Sequence, residues 1–479
     1  MRMKKNIGGF FCALLLAMTA PLTTFGAEQE KTDPAEDISL YATAAVLMDA
    51  DSGRVLYGKN EDVPMAMAST TKIMTCIQVL EYADPDEMLT VSAYAASMPK
   101  VKLYIKEGEQ YRVGDLLYSL MLESHNDTAV ALAEHIGKQY LPEELREKPS
   151  SEYTAEESKM AVAAFAALMN EKAAELGCEN TWFITPNGLD ATEIIIQPDG
   201  STLQKEHCTT AAELARIMAY CIGESPKKDE FLEITRTGSY SFSVGGRSFS
   251  CSNHNAFLSM MSGALSGKTG FTNKAGYCYV GALERDGRTF VVTLLACGWP
   301  NNKNYKWSDT RELMEYGLEN YFYRSFLDED VRFDESLLKP VPVLNGQTDI
   351  LGGTAYTEIE LAKLRTAGDA ETTEDNNTAE SDVAAGSGNE ESSGDKSAAW
   401  VRSERPGLLL REDEQIQVEY SWEKSLVAPV ERGTKIGSVR YIVDDTVYMT
   451  ADIVTAQKVE QIEFDWCLEQ ILKRFLINK

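Results

Sequence analysis

Ala68-Ser69-Thr70-Thr71-Lys72 opens an apolar run, Ile73-Met74-Thr75-Cys76-Ile77-Gln78-Val79-Leu80. Read as a helix, this stretch sets Ser69 and Lys72 one turn apart on one face. A hydroxyl beside an amine that can shed its proton is the minimum equipment for a nucleophilic serine that works without histidine. Alone the spacing is common: a chain of 479 residues holds roughly two S-x-x-K matches by chance. Its meaning rests on what the rest of the chain supplies.

The length allows two or three domains with real cores. Net charge is −28, which argues against nucleic-acid binding and against attachment to anionic lipid mainly by charge. The first residues have the layout of an export signal. Arg2, Lys4 and Lys5 precede the apolar core Ile7 to Met18, and cleavage after Gly26 sets Thr24 and Gly26 at the small-residue positions. That core is short for a bilayer span. Eight cysteines follow the signal; Cys76, Cys278 and Cys297 lie in apolar runs where a thiol packs as a small hydrophobe. Mostly free thiols are expected. No C-x-x-C or His/Cys cluster suggests a metal, and no cofactor is expected.

Residues 1–27 read as the signal peptide and 28–37 as a polar spacer. From 38 to 324 the order is a strand pair about Asp51-Ser52-Gly53, then helices, then more strands. The helices include one capped by Asn126 or Asp127 and one over Met160 to Leu176; the strands end in a hairpin about Asp286-Gly287. This is an α+β pattern, an antiparallel sheet with helices packed on it. Residues 325–455 form a small β-rich domain, interrupted at 366–399 by an acidic stretch too poor in large apolar residues to fold. Leu141 to Ser158 reads as a surface insertion. The tail, 456–479, sets Phe464, Leu468, Ile471, Leu472, Phe475 and Leu476 on one side at helical spacing. It docks on its own domain or lies in a membrane surface, and the second reading is preferred.

Two further triplets follow the first: Ser124-His125-Asn126 and Lys268-Thr269-Gly270. Each is bland alone, as a helix cap or a surface turn. In this order they make up the signature of penicillin-interacting serine enzymes. The chain resembles the low-molecular-mass penicillin-binding proteins that act as D-alanyl-D-alanine carboxypeptidases, the peptidase S11 family. The likeness covers roughly residues 38 to 300 and includes Met67 to Thr75, Gly114 to Tyr118, Asn126 to Ala129, Leu168 to Ala173, Pro186 to Leu189, Asn253 to Asn255 and Lys268 to Thr272. The β-rich segment and terminal helix are similar, more weakly, to that family's second domain and membrane anchor.

The resemblance implies a serine β-lactamase/D,D-peptidase-like catalytic domain and a role for each residue. Ser69 attacks the penultimate D-alanine carbonyl of peptidoglycan stem peptides ending in D-Ala-D-Ala, while neutral Lys72 takes its proton. Ser124 relays a proton to the leaving D-alanine, and Asn126 bonds Lys72 or the substrate amide. Lys268 and Thr269, before Gly270, bind the terminal carboxylate. The N–H groups of Ser69 and Phe271 form the oxyanion hole. β-Lactams acylate the same serine, and the protein sits outside the cytoplasmic membrane, anchored peripherally by its C-terminal helix. His125 stands where the family more often has a small residue, and is read as pointing away from the cleft; facing it, the imidazole adds pH dependence near neutrality. Asn187 replaces a common histidine. His135 and His207 read as structural, and His254 as a scaffold residue beside the cleft.

Three rivals compete with this reading. A class A-like β-lactamase needs a glutamate in an E-x-x-L-N setting; the nearest look-alike, Pro142-Glu143-Glu144-Leu145-Arg146, has the wrong order. A D,D-endopeptidase shares every motif. A non-catalytic wall scaffold has no need of intact Ser69, Lys72, Ser124 and Lys268.

Overall fold

A computed structural model of the chain describes residues 38–197, 199–366 and 405–476. The signal peptide, the spacer and nearly all of the acidic insertion lie outside the described residues. The first domain is built on five strands: β1 (Ala44–Asp49), β2 (Val55–Lys59), β3 (Ala264–Thr272), β4 (Gly276–Arg285) and β5 (Arg288–Leu295). Their order is β2-β1-β5-β4-β3, antiparallel throughout, so β3 is an edge. Every residue of β1 is buried. That continuous burial explains its unbroken apolar sequence, because both faces of the sheet are covered.

On one face lie α1 (Lys72–Tyr82), α2 (Asn126–Gly137), α3 (Ala155–Glu175) and α4 (Ala211–Gly223), which share one core with Val46, Met48, Val280 and Val291. On the other lies α5 (Tyr305–Asn320); a Cβ at its Gly317 would press within 2.9 Å of Leu47 and Phe290. A short 3-10 turn, Ala68–Thr71, leads into α1. Nine of the eleven residues of α1 are buried, Lys72 among them. The expected spacing of Ser69 and Lys72 thus spans a 3-10 turn followed by the first α-helical residue.

Three local expectations change. α3 begins five residues before Met160, because Thr154 and Glu157 form a reciprocal capping box. Neither Asn126 nor Asp127 caps α2; both lie inside its first turn, after His125. Tertiary contacts take those side chains instead. Asp127 accepts backbone N–H bonds from Leu103, Tyr104 and Ile105 at 2.8–3.2 Å, tying the preceding loop over the site. An unanticipated hairpin, Thr192–Ile196 with Thr202–Glu206, follows the turn at Gly188.

The second domain contains two small sheets, one of Val341–Leu344, Ala355–Thr357 and Leu426–Val427, the other of Ile359–Leu361, Gln417–Trp422, Lys435–Val443 and Thr446–Thr455. Asp444 and Asp445 turn the last hairpin with φ of 49° and 61°, the two left-handed positions of a tight hairpin turn. Arg54, in the β1–β2 connection, roots this domain on the first. Its guanidinium forks onto Glu414 at 2.7 and 2.9 Å, and also meets Asp444 and the Leu409 carbonyl. The terminal helix α6 (Phe464–Leu476) starts later than residue 456, since Val459 and Gln461 still pair with Val430 and Gly346. Its apolar residues are not docked: Phe464 is 79% and Phe475 77% exposed. All eight cysteines of the described residues are free thiols.

Glu134 of α2 is buried among α-helices, accepting a 2.9 Å bond from Ser92, and burial raises its carboxyl to about 7. A carboxyl whose folded pKa lies above its unfolded value costs stability as pH climbs from about 4.5 through about 7, by up to roughly 3 kcal/mol. Urea unfolding at pH 5 and pH 8 is expected to show this loss in the unaltered protein and a much smaller one in Glu134→Gln.

Candidate active site

The three triplets, about 200 residues apart from first to last, converge at one cleft of about 590 Å³. Ser69, Ser124, Asn126, Thr269, Gly270 and Phe271 line it. Its floor is Lys72, fully buried at the start of α1. The Lys72 Nζ lies 2.9 Å from the Ser69 Oγ, 2.9 Å from the Asn126 Oδ1 and 2.6 Å from the Asn187 carbonyl. As an ammonium it donates to all three. As a neutral amine it keeps two donors for Asn126 and Asn187, and turns its lone pair to the Ser69 hydroxyl.

The electrostatics favour the neutral form. Burial, then the Lys268 cation, push the Lys72 amine well below its ordinary range; Asp127 opposes them. Lys268 reaches in from β3, donating to the Ser124 Oγ at 2.9 Å and the Thr269 carbonyl at 2.8 Å. Burial lowers it to about 7. Two buried lysines therefore bracket the serines, one beside each hydroxyl.

Backbone geometry brings these groups together. Ala68 and Ser124 both hold left-handed φ, 49° and 64°, conformations that non-glycine residues adopt at a cost of about 1–3 kcal/mol. Gly270 lets the edge strand approach Ser69; a Cβ there would sit 2.9 Å from the Ser69 nitrogen. Gly188, at φ +83°, is tighter still, with a hypothetical Cβ 1.9 Å from the Ala68 carbonyl oxygen. Its close approach is what sets the Asn187 carbonyl beside Lys72.

His125 points its Nδ1 at the Ser119 Oγ, 2.8 Å away, and is not among the cleft-lining residues. His254 does line the cleft and pairs with Glu123 at 2.8 Å. His207 is buried and held neutral, its pKa lowered to about 3 by burial, bonding Thr71 and the Ile184 N–H. Glu143 and Glu144 belong to a short exposed helix, Glu143–Arg146, and neither lines the cleft.

Sequence reasoning missed several contributors. Asn187 acts through its carbonyl, so its side-chain identity carried no signal. Asp127 binds the loop whose Val101 carbonyl accepts the Asn126 N–H at 2.8 Å; a fully buried acid next to the second triplet was its trace. Tyr277, Lys303, Lys306 and Trp307 complete one wall, contributed by the β3–β4 pair and the start of α5, which no short motif marks. Among the described residues no group of acidic, histidine or cysteine side chains has the arrangement of a metal site.

The D-alanyl-D-alanine carboxypeptidase family (peptidase S11) matches residues 28–140 and 154–296, skipping the surface insertion, and a penicillin-binding protein 5 C-terminal domain matches 410–461. D-alanyl-D-alanine carboxypeptidase DacF of Bacillus subtilis is 26% identical over 325 residues, spanning 67% of this chain and 72% of that protein. A D-alanyl-D-alanine endopeptidase of Pseudomonas aeruginosa is 27% identical over 246 residues, 50% of this chain and 66% of its own. Penicillin binding protein 5 from Haemophilus influenzae shares the fold with a TM-score of 0.58 at 21% identity, over 88% of this chain and 99% of that one. With more than half its length matched by one family and its three triplets meeting in one cleft, the chain belongs to the D-alanyl-D-alanine carboxypeptidases of peptidase family S11.

Proposed function

We infer that the protein is a serine-type D-Ala-D-Ala carboxypeptidase that trims the terminal D-alanine from peptidoglycan stem pentapeptides through an acyl-enzyme on Ser69. The observation that carries this reading is the buried Lys72 amine, 2.9 Å from the Ser69 hydroxyl and depressed by burial and Lys268. Lys72 takes the Ser69 proton as the Oγ attacks the penultimate carbonyl. The N–H groups of Ser69 and Phe271 receive the oxyanion. Lys268 and Thr269 hold the terminal carboxylate, and Ser124, bonded to Lys268, passes a proton to the departing D-alanine. Asn126 keeps Lys72 aimed at Ser69. Water then releases the shortened peptide.

β-Lactams are expected to acylate Ser69 and leave slowly. None of the described residues lining the cleft is a glutamate suited to activating a deacylating water. The N-terminal layout and the exposed apolar face of α6, with Lys473 and Arg474 in its last turn, support an exported enzyme held at the outer face of the cytoplasmic membrane. None of the described helices is long and apolar enough to cross a membrane, so this attachment is in-plane.

Fluorescent penicillin should label the protein, and Ser69→Ala should abolish the label; labelling that survives the substitution rejects the acyl-serine reading. Incubation with a pentapeptide and with crosslinked muropeptides separates carboxypeptidase from endopeptidase turnover by whether free D-alanine or resolved dimers appear. Acylation needs a neutral Lys72, so its rate should rise with pH. Replacing Lys268 by Gln removes the cation that depresses Lys72 and should move that rise upward by about one unit, read from acylation rates across pH. Gly188→Ala must push the Asn187 carbonyl off Lys72, and a loss of at least about a hundredfold in acylation rate is expected. Removing residues 464–479 should abolish sedimentation with lipid vesicles while leaving penicillin labelling intact.

A further inference from the structure

The small sheet of Val341–Leu344, Ala355–Thr357 and Leu426–Val427 in the second domain is apolar on both faces. Val341, Val343, Ala355 and Leu426 point inward and are buried in that domain's core. Strand alternation turns their neighbours outward, and Leu344, Tyr356 and Val427 are 54%, 57% and 61% exposed. The register sets Leu344 beside Val427 and Pro342 beside Tyr356, so these four share one outer face. A sheet with one solvated face normally alternates apolar-in with polar-out. This one does not.

Charge is missing from the same region. Charged residues make up 25% of the chain, yet residues 340–357 hold a single one, Asp349, and residues 425–430 hold none. The turn between the first two strands carries Ile350, 62% exposed. A partner recognised through ion pairs finds no complement on this face. An apolar phase does.

The face lies at the root of α6. The Asn345 carbonyl accepts the Ile462 N–H and the Glu460 carbonyl accepts the Gln347 N–H, both at 2.8 Å. Ile462 is itself 37% exposed, and Phe464, the first residue of α6, is 79% exposed. Two apolar surfaces therefore adjoin without covering each other. Had they been complementary, packing α6 onto the sheet would have buried both. A single apolar phase reaching both surfaces is the partner that leaves neither in water.

Resting on the reading of α6 as an in-plane anchor, we propose that the outer face of this sheet, with Ile350 at its tip, is a second lipid-contacting surface that seats the second domain on the headgroup–acyl boundary of the bilayer. The face is too small to hold the protein without α6. Its role is orientation: α6 alone meets the bilayer along one line, and a second contact beside that line fixes the tilt of the domain above it.

Hydrogen exchange of the full chain, with and without phosphatidylcholine vesicles, reads both surfaces at once. Amides of residues 344–353 should slow several-fold on adding vesicles, together with those of α6. The double variant Leu344→Gln/Val427→Gln should weaken sedimentation with the vesicles about tenfold, with penicillin labelling unchanged. Both side chains are exposed, and substitutions at such positions normally leave folding intact. Slowed exchange in α6 alone, with the double variant sedimenting like the unaltered protein, overturns the second surface and leaves the anchor standing. Absence of slowing in either region overturns the anchor, and the second surface with it. Slowing at 344–353 that needs no vesicles and grows with protein concentration assigns the face to a second copy of the chain and overturns the lipid contact.

Discussion

Keeping a primary amine dry at the start of a helix is the constraint on which the rest of this structure depends. A buried ammonium carries a penalty of several kcal/mol, and the positive end of α1 adds to it, because Lys72 is the first residue of that helix. The protein meets the penalty by surrounding the amine with apolar helix. Ile73, Met74, Cys76, Ile77, Val79 and Leu80 are all buried in the common core, worth roughly 10 kcal/mol in gross transfer terms. Three oxygens then satisfy the amine's hydrogen bonds, so it is buried without being orphaned. The outcome is a lysine held well below its ordinary pKa by burial and by Lys268, which favours the neutral base.

The same constraint explains where backbone strain is kept. Each oxygen near Lys72 comes from a different segment: the 3-10 turn, the start of α2 and the turn before Gly188. Three separate chains meeting within hydrogen-bond distance of one atom leave no room for ordinary turns, and left-handed Ala68 and Ser124 follow. On the fourth side stands β3, a sheet edge that presents unpaired backbone. Edge strands are usually shielded against strand addition. Here the edge forms one wall of the cleft, with Thr269, Gly270, Phe271 and Thr272 lining it.

How far the sequence disclosed this can be judged residue by residue. The serines, lysines and asparagine of the triplets were visible because their side chains make the contacts of the cleft and their spacing follows helix and strand periodicity. The alternation of β4 and β5 about Asp286-Gly287 was legible for similar local reasons. Asn187 was not, because its carbonyl acts and any residue has one. The start of α3 was misplaced although Thr154-x-x-Glu157 announces it, since the charged residues around it resembled a loop. The caps of α2 were misread because Asn126 and Asp127 have good local uses that tertiary bonds override. The wall of Tyr277, Lys306 and Trp307 joins a strand to a helix start across the sheet edge, a contact that only the folded register creates.

Coupling between the two domains completes the picture. Arg54 belongs to the β1–β2 connection of the catalytic sheet, yet its guanidinium is satisfied by Glu414, Asp444 and a carbonyl of the second domain. Both Arg54 and Glu414 are nearly buried, so truncating either one leaves the other as an uncompensated buried charge, a change that typically costs about 3–5 kcal/mol. Arg405 of the second domain adds a second tie, donating to the Gly287 carbonyl of the first. The far end of this domain is equally fixed, since Val459 and Gln461 remain strand-paired just before α6 begins. The apolar helix is therefore joined to the cleft by a stiff arm instead of a loose tether. A surface that engages α6 acquires a cleft at a set distance and orientation, which a flexible linker of the same length cannot provide.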